Sequence, residues 1–119
     1  MKKEIREIVY RKYGGHCAYC GCSIERDNFC VDHIIPKLRD KSILDTRESG
    51  LDDISNYNPS CRACNIRKGT YSIEEFRTSI EVTIDNMLRD SANFRQMIRW
   101  KQIEIHKKPI VFFFEKYDK

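Results

Sequence analysis

Cys30-Val31-Asp32-His33-Ile34-Ile35-Pro36 is an apolar, largely β-branched run, interrupted by an acid and an imidazole and closed by a proline. Val and Ile favour a pleated, half-buried setting, and Cys a buried one. Asp and His belong in such a run only where something uses them. Two cysteine pairs flank the stretch: Cys17-Ala18-Tyr19-Cys20-Gly21 upstream, and Cys61-Arg62-Ala63-Cys64-Asn65-Ile66-Arg67-Lys68-Gly69 downstream. The arrangement predicts that the two pairs form one clamp, which holds Asp32 and His33 opposite Asn65.

Two thiolates at this spacing within a turn can share one metal ion, and two such knuckles complete a tetrahedral S4 site. Zinc is the expected ion for Cys17, Cys20, Cys61 and Cys64. Its binding would contribute to folding directly and tie the N-terminal region to the middle of the chain. The competing readings are a redox CxxC pair and simple buried thiols. Cys22 is an alternative to Cys20 as a ligand, disfavoured by the symmetry of the pairs. Cys30 reads as a small buried hydrophobe.

At 119 residues the chain suits one domain with a modest core. No apolar run approaches the roughly 20 residues that span a bilayer. The N-terminus lacks an apolar signal segment, so the expected location is cytoplasmic, in a bacterial or phage-encoded protein. Paired CxxC spacing also speaks against a secreted disulfide framework. Charge is segregated along the sequence. Residues 1–13, 61–68 and 95–108 are rich in Lys and Arg, while 40–53 lean acidic through Asp40, Asp45, Glu48, Asp52 and Asp53. A polyanion-binding face requires such segregation, although solvated helix faces produce it too.

Residues 3–13 read as an amphipathic helix stopped by Gly14-Gly15. Residues 29–35 read as a strand ending at Pro36. The polar stretch 37–55 reads as a loop, with a short second strand within 54–60 closed by Pro59. The second knuckle runs into a short helix ending at Gly69. Ser72-Ile73-Glu74-Glu75 is a capping box that starts a helix through about residue 80. A 3–4 spacing from Ile84 through Ile105 predicts one long helix, or two broken near Asp90–Asn93. Residues 109–116 read as a terminal strand, too apolar for a free tail. It either packs back on the body or serves as a homodimer or partner contact.

Hydrolysis of a phosphodiester needs a base for water, a cation for the scissile phosphate and leaving oxygen, and alignment of both. His33 offers an imidazole that works near neutral pH. Asp32 is a hard oxygen ligand suited to Mg²⁺ or Mn²⁺, and Asn65 adds a neutral oxygen ligand from the helix after the knuckle. Neighbours in a regular strand point to opposite faces. Asp32 and His33 can therefore share a site only if the strand ends or distorts there.

On these residues the chain resembles an HNH endonuclease of the ββα-metal class. The likeness rests on a leading helix, Cys17-Ala18-Tyr19-Cys20-Gly21, Val31-Asp32-His33-Ile34-Ile35-Pro36, and Ile54 through Gly69. It spans about residues 1–70. The resemblance implies an α+β fold: a small ββα-metal core stapled by zinc, with an N-terminal helix and a C-terminal helical extension over about 71–108. It implies His33 as general base, Asp32 and Asn65 as ligands of catalytic Mg²⁺ or Mn²⁺, and Asn56 as the brace of the loop that orients the histidine. It implies DNA, double-stranded, as substrate, with 5′-phosphate and 3′-hydroxyl products. Arg62, Arg67 and Lys68 are the candidate phosphate contacts. His16 and His106 gain no role from it. The competing functions are a zinc-stapled DNA-binding module that does not cut, and a nuclease subunit of a larger phage or defence assembly.

Overall fold

The computed structural model describes residues 1–38 and 49–118. Helix α1 spans Lys3–Arg11 and turns Val9 fully inward. Strand β1, Cys30–His33, pairs antiparallel with β2, Tyr57–Ser60, in the register Cys30↔Ser60, Val31↔Pro59, Asp32↔Asn58 and His33↔Tyr57. Helix α2, Arg62–Lys68, follows at once. Val9, Phe29 and Tyr57 form the core, with Ile5, Tyr10, Ile24 and Val31 packed around them. Arg6 lies over the Phe29 ring and donates to the Phe29 carbonyl at 3.0 Å, which ties α1 to the approach to β1. The expected α+β architecture with a ββα core is present.

Two boundaries differ from expectation in ways that matter for the site. The first strand stops at His33 rather than running to Ile35. Its last outward bond passes from the Ile34 N–H to the carbonyl of Asn56, at 2.9 Å. The second strand runs through Pro59 instead of closing there. Proline lacks an N–H but keeps its carbonyl, which here accepts from Ala18 N–H at 2.9 Å. The three residues before β2, Ile54–Asn56, are a turn of 3₁₀ helix. Asp53 caps that turn by accepting from Ser55 N–H.

The chain divides into two compact units, residues 1–73 with 111–119, and residues 74–110. The second consists of α3 (Ile73–Glu81, counted from its first residue), α4 (Thr83–Asp90) and α5 (Ala92–Arg99). Of the two expectations over 84–105, the broken one is realised: the break falls at Ser91, whose hydroxyl accepts from Phe94 N–H at 3.1 Å and starts α5 afresh. Helix does not continue to Ile105: α5 ends at Arg99 and Lys101 takes φ 60°.

The predicted strand over 109–116 is not formed. Phe113–Lys116 is instead a short helix, α6. The segment packs back on its own unit: Phe113 N–H donates to Tyr19 O at 3.0 Å, and Phe114 N–H to Ala18 O at 2.8 Å. Phe112 and Phe114 meet the Tyr19 ring edge-on. Gly21, at φ +80°, leaves the space that the Phe113 ring fills, since a Cβ there would lie 2.6 Å from it. Of the acidic stretch over 40–53, residues 40–48 lie outside the described residues.

Candidate active site and metal clamp

The four clamp cysteines converge. One sulfur from each of Cys17, Cys20, Cys61 and Cys64 lies within 4.8 Å of every other. A tetrahedron built on Zn–S bonds of about 2.3 Å has edges of about 3.8 Å, and the Cys20 and Cys61 sulfurs stand 3.8 Å apart. The donor set and its spacing fit structural zinc. Cys61 also caps α2, its sulfur accepting from Cys64 N–H at 3.4 Å. The crowded sulfurs perturb one another. Hydrogen bonding to Cys64 pulls the Cys17 thiol down to about 4, and the same bond pushes Cys64 far up. Cys22 is not one of the four, although its thiol bonds to Cys20 and Cys61; desolvation, then those neighbours, push it up to about 12.

The knuckle carries more than its ligands. Between Cys17 and Cys20 sits Tyr19, buried, whose hydroxyl donates a short hydrogen bond to Oδ2 of Asp32. Asp32 is only 5% exposed. Its oxygens also receive Lys68 Nζ, at 3.3 Å to Oδ1 and 3.1 Å to Oδ2. Lys68 donates as well to the His33 carbonyl at 2.9 Å. The network continues through Asn58, which donates to Tyr19 Oη at 3.4 Å and accepts from Lys12 at 3.0 Å. Burial raises the Asp32 carboxyl above its usual range, against the pull of Tyr19 and Lys68. Burial beside that carboxylate raises the Tyr19 phenol too.

Lys68 is therefore a correction. It was expected to reach phosphate from the end of α2, yet its side chain is 0% exposed and committed to Asp32 and His33. Arg62 and Arg67, by contrast, lie exposed on α2.

His33 ends β1 with its side chain 29% exposed. Its Nε2 meets Asp52 Oδ1 at 2.8 Å, and its ring stands edge-on to Tyr57. Asp52 also pairs with Lys37, and bonds to Lys37 and then His33 hold its carboxyl below the usual range. Because the strand stops here, neighbours in sequence can face one space. Asp32, His33 and Asn65 all line a cleft of about 180 Å³, together with Val31, Pro36, Lys37, Gly69 and Thr70.

Asn56 braces the chain just past the histidine. Its Oδ1 accepts from Ile35 N–H at 2.8 Å, and its Nδ2 donates to Ile35 O at 3.0 Å and Leu51 O at 3.1 Å. It touches the loop rather than the imidazole. Gly50 crosses the same place so closely that a Cβ would lie 1.8 Å from Ile35 O.

Residues 17–70 match the family model for HNH endonucleases. This segment is similar to the HNH endonucleases. The HNH segment contains all eight sequence-predicted metal, base and brace positions: Cys17, Cys20, Asp32, His33, Asn56, Cys61, Cys64 and Asn65. Among solved structures the chain resembles the crystal structure of the Type II-C Cas9 enzyme from Actinomyces naeslundii, with a TM-score of 0.53 at 20% identity. The match covers 66% of this chain and 8% of that one, and at this identity the likeness is one of fold. Compared with curated proteins, the chain matches none.

Sequence reasoning missed Tyr19, Asp52, Gly50 and the true place of Lys68 in the HNH segment. One signal was available for Tyr19: a phenol locked between two zinc ligands is held close to the core, and a buried hydroxyl needs a partner. His16 is a loop residue beside Gly21 O and the Phe113 ring, and His106 pairs at the surface with Glu104.

Proposed function

We propose that the chain is a metal-dependent endonuclease that hydrolyses phosphodiester bonds of double-stranded DNA. The observation that carries this reading is the single cleft shared by Asp32, His33 and Asn65 where β1 ends. Asp32 and Asn65 would hold one Mg²⁺ or Mn²⁺. A carboxylate oxygen has two lone pairs, so Asp32 can serve a cation while Tyr19 and Lys68 keep it aimed. Such an ion supplies charge neutralisation for the scissile phosphate and the leaving oxygen.

His33 is the general base. In the tautomer that donates Nε2–H to Asp52, Nδ1 keeps the lone pair that takes a proton from water. The resulting hydroxide attacks phosphorus and the P–O3′ bond breaks, leaving a 5′-phosphate. The departing 3′ oxygen takes its proton from solvent. Asn56 is a positioning residue: its three bonds fix Ile35 and Leu51, and so the exit of the chain from His33. Tyr19 and Lys68 are positioning residues for Asp32. Arg62 and Arg67 contact phosphates outside the cleft.

Plasmid nicking in Mg²⁺ or Mn²⁺ tests the reading. Wild type converts supercoiled to open-circular plasmid, and His33→Ala loses at least about a hundredfold, the scale of general-base catalysis. Equal cleavage by His33→Ala, or none by wild type, sinks it.

A second reading has an observation of its own, the engagement of both Asp32 oxygens inside the protein, Oδ2 by Tyr19 and Oδ1 by Lys68. A zinc-stapled module that binds DNA without cutting it would keep them so. Calorimetric titration with Mn²⁺ separates the two. Heat that Asp32→Asn abolishes favours the nuclease. DNA binding without such heat favours the module.

A further inference from the structure

The nuclease reading leaves one surface of the 74–110 unit unused. Neither α4 nor α5 buries any residue completely. Trp100, the only tryptophan of the chain, stands 69% exposed immediately after α5. Scattered exposed apolar residues need no explanation. An indole is different, because it carries a large apolar face whose burial dominates the contacts it makes.

Three further features single this one out. The turn that presents it is built rigidly: Trp100 N–H donates to Gln96 O at 2.9 Å, Lys101 N–H to Ile98 O at 3.0 Å, and Gln102 N–H to Met97 O at 2.9 Å. That turn needs Lys101 at φ 60°, the one non-glycine residue with positive φ among those described. A lysine there is strained, and such strain gathers at sites that use the geometry. Finally, Arg99 and Lys101 are exposed and no carboxylate holds either among the described residues, whereas Arg89 is paired with Asp90 and Lys107 with Asp85. Over residues 91–110, five basic side chains (Arg95, Arg99, Lys101, Lys107, Lys108) face one acid, Glu104.

The charge decides what kind of partner fits. A tryptophan that anchors a protein interface sits in a well-packed, desolvated pocket. Here an exposed cation precedes and follows the tryptophan in sequence, and covering both with an apolar partner would strand two charges. Phosphates answer both cations, and a base answers the ring. In a duplex the base faces are hidden in the stack, so a surface indole meets one only where a nucleotide is unpaired. Aromatic stacking with flanking cations is how single strands are gripped.

We propose that Arg99-Trp100-Lys101 is a nucleic-acid contact at which the indole stacks on an unpaired DNA base while the two cations hold flanking phosphates. The chain then favours DNA that carries single-stranded nucleotides, such as a gap, a flap or a bubble, over a blunt duplex. This rests on the DNA-binding part of the reading above and needs no cleavage.

Because Trp100 is the sole indole, its fluorescence reports on this surface alone. The full zinc-loaded chain is titrated without Mg²⁺ or Mn²⁺, first with a short oligothymidylate and then with a blunt duplex of equal length. Saturable quenching by the oligothymidylate, weaker quenching by the duplex, and reversal by salt are expected. Trp100→Ala, an exposed position, should weaken single-strand binding about tenfold in a mobility shift, and Trp100→Phe should retain most of it. Bound oligothymidylate with unquenched emission overturns the proposal. So does a mobility shift by duplex but not by single strand. Emission that shifts with protein concentration alone also overturns it, and assigns the surface to a second copy of the chain. Plasmid nicking by the same preparation tells failure here from failure of the nuclease reading.

Discussion

The unit around the zinc knuckles and the unit of residues 74–110 handle polar groups in opposite ways. The first buries them: Asp32, Asn56, Asn58, Ser60 and Lys68 are all buried, and no described buried side-chain nitrogen or oxygen lacks a partner. The second keeps its ion pairs at the surface, as between Arg89 and Asp90 or Lys107 and Asp85, and its helices α4 and α5 bury nothing completely. Burying charge is costly and is tolerated only when every partner is in place. The chain accepts that cost around Asp32, where side-chain geometry must be fixed, and avoids it over α4 and α5.

Removing the clamp metal should break this contrast most completely. Structural zinc contributes on the order of 10 kcal/mol to folding, so a chelator or Cys64→Ser should unfold the knuckle unit while helicity in 74–110 persists. Hydrogen exchange read peptide by peptide checks this, and protected amides in β1 and β2 after chelation would count against it.

Next comes Lys68→Met. It strands the buried Asp32 carboxylate and should cost about 3–5 kcal/mol in urea unfolding. Asp32→Leu added to it should restore much of that loss, which a role in phosphate binding would not predict.

Asn56→Ala should cost less, about 1–3 kcal/mol, by leaving the Ile35 amide and carbonyl without their partner. Cleavage should fall further than stability, measured by nicking at a temperature where the variant remains folded.

The smallest effect sharpens the other side. Ser91→Ala removes the cap of α5 and should cost about 1 kcal/mol in the helical unit. Plasmid nicking should stay at the wild-type rate.

How far the sequence was legible follows from how each feature is encoded. Ligand chemistry is local, so two CxxC pairs announced the clamp without any tertiary information. The strand-to-loop break at His33 was legible as a requirement, because two neighbours needed one site. Asn56 was legible through its place before Cys61, although its contact proved to be the backbone of Ile35. Lys68 was not, since depth belongs to the fold. The same ammonium reads as a phosphate grip at the surface and as an internal counter-ion once α2 docks beside β1. The stretch 109–116 misled because β-branched and aromatic residues fit several apolar settings. Its amides found the carbonyls of Ala18 and Tyr19 instead of a sheet edge. The stripe over 84–105 was periodic throughout, and only Ser91 and Lys101 marked where the helices stop.

The docking of Phe113 and Phe114 on Tyr19 and Ala18 joins positions nearly the whole chain apart. As synthesis proceeds from the N-terminus, both cysteine pairs emerge well before these phenylalanines exist. The metal can therefore enter an open knuckle early. The late-arriving segment then fastens the turn that presents Cys17 and Cys20.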